Sequence, residues 1–295
     1  MSKKILVIGS SNTDMTVKSE KMPAPGETVL GGEFIMGPGG KGANQAVAAR
    51  RLGGDVCFIC KVGRDIFGDN AVAGYDKEGI DTSHVLRSDK ASGVALILVD
   101  KNAENSISVA PGANNDLTPE DIDSVADVIK ASDYLILQLE IPVESVLRAA
   151  QIAHEAGVYV ILNPAPACPL PAELFSYLSL ITPNAGEVEL MTGVTGELDD
   201  KVAALRKMGV SDVIITLGSR GSYVAPAGSE AELVPALKVN AVDTTAAGDT
   251  FCGALCVALS EGKDLAEAAR FATKASSLTV QKMGAQSSIP YRKDL

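Results

Sequence analysis

Short, uninterrupted apolar runs recur along this chain and alternate with segments of helical periodicity. The first run covers residues 5–8, and later runs cover residues 134–139 and 158–162. Between the runs, apolar residues repeat every three or four positions, as in the stripe that begins at Val143. Continuous apolar runs are typical of parallel strands covered on both faces, because neither face meets water. The alternation therefore predicts an α/β fold with an open, mostly parallel sheet and helices on both faces.

Two segments interrupt this rhythm, because they contain short alternating strands and no helical stripe. They span residues 12–36 and 93–110, and we interpret them as a small β-sheet lid on a single domain of residues 1–295. The predicted strands of the main sheet are residues 5–8, 56–62, 134–139, 158–162, 180–181 and 213–217. The predicted lid strands are residues 14–18, 28–36, 93–99 and 106–109. The predicted helices include apolar stripes that begin at Ile122, Val143 and Leu265.

The composition suits a globular domain with a large core, since 46% of the 295 residues are hydrophobic and 21% are charged. The formal net charge of −11 argues against nucleic acid as a partner, because phosphate backbones attract basic surfaces. The apolar run after Lys4 is too short for a signal-peptide core. No run approaches the roughly 18 apolar residues that a membrane span requires. We therefore expect a cytoplasmic protein without a membrane partner.

The five cysteines and two histidines give little support to thiol, metal or histidine chemistry. An odd number of cysteines without a spacing framework indicates reduced thiols. Cys57 and Cys60 form a C-x-x-C pair, but both lie in a predicted strand, where residues three apart point to opposite faces. A redox or metal site at this pair is the minor alternative. His154 continues the apolar stripe from Val143, which favours a packing role.

A glycine-rich segment, Gly37-Pro-Gly-Gly-Lys-Gly42, precedes a predicted Ala-rich helix over residues 43–52. Glycines let the backbone approach a ligand closely, and a helix N-terminus offers unpaired N–H groups to oxygen atoms. The segment also matches the G-x-G-x-x-G dinucleotide fingerprint, although that fingerprint should follow the first strand, which ends here at Gly9. A tight strand-to-helix turn without a ligand is the third interpretation.

A second segment, Asp243-Thr-Thr-Ala-Ala-Gly-Asp249, opens a predicted apolar helix over residues 251–259. Its Ala-Ala-Gly turn places successive N–H groups at a helix start, which favours an anion-binding site. Asp249 then lies in the first turn, beside the position of that anion. An N-cap role would explain one aspartate but not the small residues that precede it.

Further oxygen-bearing side chains follow the ends of other predicted strands. Asn184 and Glu187 share one face of a helix start, where they would either bind Mg²⁺ or cap the helix, and the spacing supports both interpretations equally. In an open parallel sheet, ligands collect at the carboxyl ends of the strands. The segments that we place at this edge also include Asn12, Asp14, Glu140 and the polar glycine turn 216–221.

Taken together, these motifs resemble the ribokinase-like (PfkB) carbohydrate kinase family, and the resemblance runs from Val7 to about Tyr291. The two family signatures occur in order, as Gly39-Gly-Lys-Gly-Ala-Asn44 and Asp243-Thr-Thr-Ala-Ala-Gly-Asp249-Thr. Shorter matches are Leu139-Glu140, Asn163-Pro-Ala-Pro-Ala167, Pro183-Asn184, Thr216-Leu-Gly-Ser-Arg-Gly221 and Gly284-Ala-Gln286. The resemblance implies an α/β core with a β lid that closes over a sugar and pairs with the lid of a second subunit in a homodimer.

By position, the resemblance also assigns roles to individual residues. Asp249 would be the catalytic base, and the backbone of Ala246, Ala247 and Gly248 would form the anion hole. The sugar site would comprise Asn12, Asp14, Gly40, Lys41, Asn44, Glu140 and Asp249. The nucleotide site would comprise Asn184, Thr216, Gly218, Gly221 and Gly248, with Glu187 near Mg²⁺. An activating potassium ion would be held, partly through backbone carbonyls, by Asp243, Thr245, Thr279, Lys282, Gly284 and Ser288.

The reaction that the resemblance implies is ATP-dependent phosphorylation of ribose at its 5-hydroxyl, with Mg²⁺ and K⁺ as cofactors. Deoxyribose, fructose or a nucleoside are alternative acceptors, although Ser10, Asn12 and Asp14 favour a small polyhydroxy sugar. A dinucleotide-dependent oxidoreductase and a non-catalytic sugar-binding protein are alternatives from other classes. Asp249 disfavours the second of these, since binding alone requires no base. A plain cap of the turn is the alternative role of Asp243, and Cys252 receives no role.

Overall fold

The computed structural model describes residues 3–102 and 104–295. In chain order its strands are β1 (Lys4–Ile8), β2 (Asn12–Lys18), β3 (Glu33–Gly39), β4 (Asp55–Ile59), β5 (Lys61–Gly63), β6 (Leu86–Ser88), β7 (Gly93–Val99), β8 (Asn105–Ala110), β9 (Tyr134–Leu137), β10 (Tyr159–Leu162), β11 (Leu180–Ile181), β12 (Asp212–Thr216), β13 (Ser222–Ala225) and β14 (Glu232–Val234). Its α-helices are α1 (Lys41–Arg51), α2 (Ile66–Glu78), α3 (Pro119–Ser124), α4 (Ala126–Lys130), α5 (Val143–Glu155), α6 (Ala185–Thr192), α7 (Leu198–Met208), α8 (Ala247–Ser260) and α9 (Leu265–Thr279). Within these ranges, no helix combines the length and the apolar character that crossing a membrane requires.

The main sheet has the strand order β14-β13-β12-β11-β10-β9-β1-β4. Every neighbouring pair from β12 to β4 is parallel, whereas β13 and β14 add antiparallel pairs at one edge. This arrangement confirms the predicted open, mostly parallel sheet. β1 shows why its residues are uniformly apolar, since Ile5 and Val7 join one buried core and Leu6 and Ile8 join the other. Helices therefore cover both faces of the sheet.

Two predicted elements have different boundaries in the structure. The predicted strand 56–62 is wrong as one element, because the carbonyl of Cys60 accepts a hydrogen bond from Leu86 N (2.9 Å) and the chain leaves the main sheet. β4 thus ends before Cys60, and β5 pairs with β6 in a separate two-stranded sheet. The stripe from Ile122 is also divided, since the backbone departs from helical geometry at Val125, between α3 and α4.

Four strands form the second sheet, in the order β3-β2-β7-β8. β2 starts shortly after β1 ends, and it pairs antiparallel with β3 and parallel with β7. β3 differs from the predicted strand 28–36, because its pairing with β2 continues through Gly37 and Gly39. The glycine-rich segment therefore begins as a strand, directly opposite Asp14 and Asn12.

Close backbone contact holds the start of α1 against the carboxyl end of β1. The chain turns from β3 into α1 at Gly40, whose φ of 91° lies in the left-handed region that favours glycine. Gly42 follows in the first turn, where a Cβ would lie 2.5 Å from the backbone nitrogen of Ser10. The backbone N of Ala43 donates to the carbonyl of Ser10 (2.9 Å). The first turn of α1 is thereby fixed at the edge where ligands collect in such sheets.

We expect Gly42→Ala to lower the free energy of unfolding by about 2 kcal/mol, because the added Cβ must displace main-chain atoms. Gly74→Ala, in the exposed middle of α2, is the matched control, since a Cβ there meets no atom within 4 Å. The control should stabilise the protein by roughly 0.5–1 kcal/mol through the lower entropy of the unfolded chain. Urea unfolding measures both values, and equal effects of the two substitutions would contradict this packing of α1.

Candidate active site

A cleft of about 410 Å³ separates the carboxyl edge of the main sheet from the second sheet. On the side of the main sheet it is lined by Gly40, Lys41, Asn44, Glu140, Asn163, Ala165, Asn184, Glu187, Thr216, Thr244, Thr245, Ala246, Gly248 and Asp249. On the side of the second sheet it is lined by Asn12, Asp14, Ala95, Ile97, Ile107 and Val109. All residues predicted to hold the sugar therefore border one space.

Asp249 is buried in the wall of this cleft, with 6% of its surface exposed. Its Oδ2 accepts a hydrogen bond from Asn44 Nδ2 (2.9 Å), and its Oδ1 accepts one from Gln45 Nε2 (3.0 Å). Burial raises the pKa of the Asp249 carboxyl, although the Lys41 ammonium and the two amide donors oppose that rise. The side chain is a buried carboxyl whose two oxygens are both oriented by α1, an arrangement suited to a base.

α8 begins at Ala247, two residues before Asp249, and its N-terminus has no side-chain cap. Ala246, the residue before the helix, has a φ of 59°, and in the described parts of the chain it is the only non-glycine residue with positive φ. A left-handed alanine costs roughly 1–2 kcal/mol, and such strain persists where the surrounding structure maintains it. The backbone N–H groups predicted to form the anion hole thus lie at an uncapped helix start that borders the cleft. One of these groups already has a partner, because Ala247 N donates to the carbonyl of Thr244 (3.2 Å).

Lys41 and Glu140 place opposite charges on the same wall. Glu140 Oε2 accepts hydrogen bonds from Ser10 Oγ (2.5 Å) and from the backbone N of Lys41 (2.9 Å). Burial lowers the pKa of the Lys41 ammonium, but the negative charges of Asp249 and Glu140 outweigh this effect and raise the pKa above its usual value. Lys41 therefore stays cationic and partly neutralises an acidic cleft.

Asp14 reaches the cleft from β2. Burial, together with the smaller effect of the negative charges of Glu140 and Asp249, raises the pKa of its carboxyl to about 6. The carboxylate lies against Gly39, where a Cβ would be 2.2 Å from Asp14 Oδ1. Asn12 precedes it on β2 and is held by Asn114, whose Nδ2 donates to Asn12 Oδ1 (2.7 Å). The glycine-rich segment thus leaves room for a polar side chain at the cleft.

Asn184 and Glu187 form a capping box at the start of α6, which is one of the two arrangements that their spacing predicted. Asn184 Oδ1 accepts from Glu187 N (2.9 Å), and Glu187 Oε2 accepts from Asn184 N (2.7 Å). Both residues also border the cleft, as does Thr216 at the end of β12. Gly218 and Gly221 belong to the turn after Thr216 and do not border the cleft. The cleft therefore contains part of the predicted nucleotide site, and the turn outside it contains the rest.

Asp243 joins the start of α8 to the C-terminal loop. Its Oδ1 accepts hydrogen bonds from the backbone N (2.9 Å) and the hydroxyl (2.6 Å) of Thr245, and its Oδ2 accepts one from Gly284 N (2.8 Å). Partial burial raises the pKa of Asp243, but these hydrogen bonds outweigh it and hold the pKa below its usual value. Asp243 therefore caps the turn, and it also brings Thr245 and Gly284 together.

The other residues predicted to hold potassium follow along the end of α9 and the C-terminal loop. Thr279 Oγ1 donates to Thr250 Oγ1 (3.0 Å), and Ser288 Oγ donates to the carbonyl of Ala285 (2.7 Å). The backbone N of Lys282 donates to the carbonyl of Thr279 (3.1 Å). Both hydroxyls thus donate within the protein, which leaves their oxygen lone pairs, together with backbone carbonyls, able to face a cation.

Sequence reasoning assigned no role to the buried amides around the site, which are Gln45, Asn114, Gln138 and Asn163. Gln45 directly follows Asn44 in the glycine-rich motif, and that position could have indicated a role. No pattern marks Gln138, because it lies in an apolar run and its amide partner belongs to another element.

The cysteines show no sign of redox or metal chemistry. All five are free, and Cys252, one turn after Asp249, is fully buried with its Sγ 3.3 Å from Thr182 Oγ1. Burial raises the pKa of the Cys252 thiol to about 12, and that of Cys57 likewise. Across the described ranges, no group of three or more His, Cys, Asp or Glu side chains is arranged to hold a metal ion. Both thiols are therefore protonated at neutral pH.

The chain matches the pfkB family of carbohydrate kinases over residues 2–292. A ribokinase of Staphylococcus aureus is 43% identical over 98% of this chain and 97% of its own length. A deoxyribokinase of Salmonella typhi is 39% identical over 97% of this chain and 95% of its own length. The structure of Arabidopsis thaliana ribokinase complexed with ribose and ATP is 34% identical, covers 99% of this chain and 97% of that chain, and has a TM-score of 0.93. Sequence, fold and cleft therefore agree, and this chain belongs to the pfkB family of carbohydrate kinases.

Proposed function

We propose that this protein transfers the γ-phosphoryl group of ATP to the 5-hydroxyl of D-ribose, giving D-ribose 5-phosphate and ADP. The observation that carries the proposal is a buried carboxyl in the first turn of a helix whose start is uncapped and open to the cleft. A base and an anion-binding turn in one place suit the attack of a hydroxyl on a phosphoryl group. The related ribokinases, one of them complexed with ribose and ATP, support this choice of substrates.

The sugar side of the cleft offers acceptors for hydroxyl groups. Asn44 Oδ1 is buried and has no hydrogen-bond partner among the described residues, which is costly unless a ligand supplies a donor. Asp14 and Glu140 add carboxylate acceptors, and Lys41 adds a cationic donor. A small polyhydroxy sugar would satisfy all of these groups.

In the proposed step, Asp249 accepts the proton of the sugar's primary hydroxyl as that oxygen forms a bond to the γ-phosphorus. The bond from the γ-phosphorus to its bridging oxygen breaks, and ADP leaves. Phosphoryl transfer has a loose transition state, so positioning and charge neutralisation matter more than covalent catalysis. The backbone N–H groups of residues 246–248 would stabilise the charge on the transferring group, and the Lys41 charge acts on the base itself.

Mg²⁺ would enter this site bound to the phosphates of ATP. Because the described residues hold no metal-binding cluster, the ion would take most of its ligands from phosphate oxygens and water, as Mg²⁺ usually does. Glu187 is the candidate protein group, since its carboxyl borders the cleft. Burial raises the pKa of Glu187, while Asn184 and Lys41 oppose the rise. A bound cation nearby would favour the ionised form and neutralise phosphate charge.

We further propose that an activating potassium ion binds between Asp243 and the C-terminal loop. Asp243 is held ionised by neutral donors of Thr245 and Gly284, and it is not needed as the base. Oxygen ligands suit a hard cation, which would fix the loop beside α8. The remaining proposed ligands are Thr245, Thr279, Lys282, Gly284 and Ser288, partly through their carbonyls. Initial rates that stay flat when potassium is exchanged for sodium at constant ionic strength would contradict this site.

The second sheet is proposed to be a lid of a single domain, built from residues 12–36 and 93–110 with β3 extended to Gly39. Side chains alternate across a strand, so Met15 lies on the face opposite Asp14. Phe34, Met36 and Leu96 share that outer face and are 60%, 52% and 55% exposed. Exposed apolar surface suits a protein partner, and we propose a second copy of this chain. A purely monomeric mass by light scattering would contradict the homodimer.

Other functions fit these observations less well. Because one relative is a deoxyribokinase, 2-deoxyribose is the first alternative to ribose as the phosphoryl acceptor. Fructose and nucleosides are further alternatives. The position of the dinucleotide fingerprint disfavours an oxidoreductase, because Gly37 and Gly39 belong to β3 rather than to a turn after β1.

We place the reaction in the cytoplasm, where ATP is available and the free cysteines would stay reduced.

Asp249→Asn tests the proposed base. The amide keeps the shape of the side chain but cannot take up the hydroxyl proton, so kcat should fall at least ~100-fold. ATP affinity and melting temperature should change little. Steady-state ADP release with ribose gives kcat, and isothermal titration gives ATP affinity. Asp89→Asn, at a side chain that is 98% exposed, is the matched control. Turnover by Asp249→Asn above about a tenth of the wild-type rate would show that Asp249 is not the base.

Ribose affinity should depend on the ionisation of Asp14. The pKa of this carboxyl is about 6 in the free protein, and a carboxylate accepts hydroxyl hydrogen bonds more strongly than a carboxylic acid does. Affinity should therefore be full well above that pKa and weaken as the pH falls through about 6. Asp14→Asn should bind weakly at every pH. Isothermal titration from about pH 5 to 8 measures both proteins, and a constant wild-type affinity would remove Asp14 from the sugar site.

A further inference from the structure

Gln45 is a fully buried side chain that contacts the proposed base without bordering the cleft. Its Nε2 donates to Asp249 Oδ1 (3.0 Å) and to Asn163 Oδ1 (3.1 Å). Its Oε1 accepts from Gln138 Nε2 (2.7 Å). Asn44, the preceding residue on α1, donates to the other oxygen of Asp249 (2.9 Å). Two donors from one helix turn therefore hold the two carboxylate oxygens, and rotation of the carboxylate would break both bonds.

A main-chain carbonyl next to Asn163 fixes which atoms of these amides donate and which accept. Asn163 Nδ2 donates to the carbonyl of Thr182 (3.1 Å), and a carbonyl can only accept. Asn163 must therefore present its Oδ1 to Gln45. Gln45 must in turn present its NH₂ group to both Asn163 and Asp249. An inverted Gln45 amide would place one acceptor against two others.

Gln138 is the third amide of this arrangement, and its side-chain oxygen is unpaired among the described residues. Its Oε1 is buried and has no donor within the described part of the chain. The oxygen lies against the backbone of Gly9, where a Cβ would be 1.9 Å from it. An unpaired buried amide oxygen is destabilising. Inverting this amide would instead bring two oxygens together, because Gln45 Oε1 faces Gln138. The unpaired oxygen is thus the consequence of keeping Gln138 a donor toward Gln45.

We propose that Gln45 is a positioning residue for the base, oriented by an amide chain of Gln138, Gln45 and Asn163 that keeps an NH₂ group directed at Asp249. The effect of this amide chain on catalysis rests on the proposed function, whereas its effect on the ionisation of Asp249 does not. A donor to the ionised form stabilises the carboxylate and opposes the effect of burial on its pKa. The amide chain therefore extends the pH range over which Asp249 can accept a proton.

Gln45→Met removes the donor and keeps a buried, unbranched side chain. Because ionised Asp249 loses a charge-assisted hydrogen bond, the acidic limb of the kcat/KM profile should move to higher pH. We expect kcat/KM about tenfold below wild type at a pH on the acidic limb of the profile and within about twofold of it at a pH on the plateau. A purely structural defect would lower kcat/KM by the same factor at both pH values, and that outcome would overturn the inference.

Gln138→Met is the second variant, and it keeps the test available if Gln45→Met fails to fold. The amide of Gln138 contacts Gln45, and the side chain does not border the cleft. This substitution should shift the profile less, in the same direction, and should add no shift in the Gln45→Met background. Gln151→Met, on α5, is the control for the substitution and should leave the profile unchanged. Additive shifts in the double variant would contradict transmission through Gln45.

Carbon-13 NMR titration of the Asp249 carboxyl in the free protein separates this inference from the proposed function. The resonance is assigned by its absence in Asp249→Asn. We expect its midpoint at higher pH in Gln45→Met than in wild type, and an unchanged midpoint would overturn the inference. A moved midpoint with an unmoved pH–rate profile would support the amide chain and show that Asp249 is not the base, so that the proposed function would fail instead.

Discussion

Burial of a carboxyl at the start of a helix is the constraint on which the rest of this structure depends. An ionised Asp249 would be costly in the interior unless donors reached its oxygens, and α1 supplies them through Asn44 and Gln45. α1 can do so only where its first turn lies against the end of β1, which explains the close approach of Gly42 to the backbone of Ser10. The glycine-rich motif therefore serves packing, in addition to the ligand binding that we propose for it.

The same constraint joins the two sheets. β2 follows β1 and β3 leads into α1, so Asp14 reaches the cleft, and Gly39 lies against Asp14, on strands that continue directly from the packed core. The cleft that results is acidic. Burial chiefly, and the neighbouring carboxylates to a smaller extent, raise the pKa of Asp14 to about 6, while the carboxylates keep Lys41 cationic. A sugar and a phosphate donor fit such a site for different reasons. Hydroxyl groups donate to its carboxylates, whereas phosphoryl oxygens suit the uncapped start of α8.

The parts of the fold with a local signal were predictable from the sequence. The parallel sheet followed from apolar runs, because strands such as β1 bury both faces, and the turn at Asp249 followed from small residues before an aspartate. Features set by tertiary contacts were not predictable. The strand 56–62 is divided by a hydrogen bond between Leu86 and Cys60, and β3 extends because β2 continues to pair with it. Gln138 was missed because the partner of its amide is Gln45, which is remote in sequence.

The proposed reaction requires two groups to act together in one cleft. Asp249 acts on the sugar hydroxyl, and the anion-binding turn acts on the phosphoryl group that is transferred to it. Rates of ADP release with Mg-ATP for ribose, 2-deoxyribose, fructose and a nucleoside, together with phosphorus-31 NMR of the product, test this most directly. We predict the highest kcat/KM for ribose and a phosphate monoester on its C5 oxygen. ADP release that does not depend on the sugar, or a higher kcat/KM for another acceptor, would contradict it.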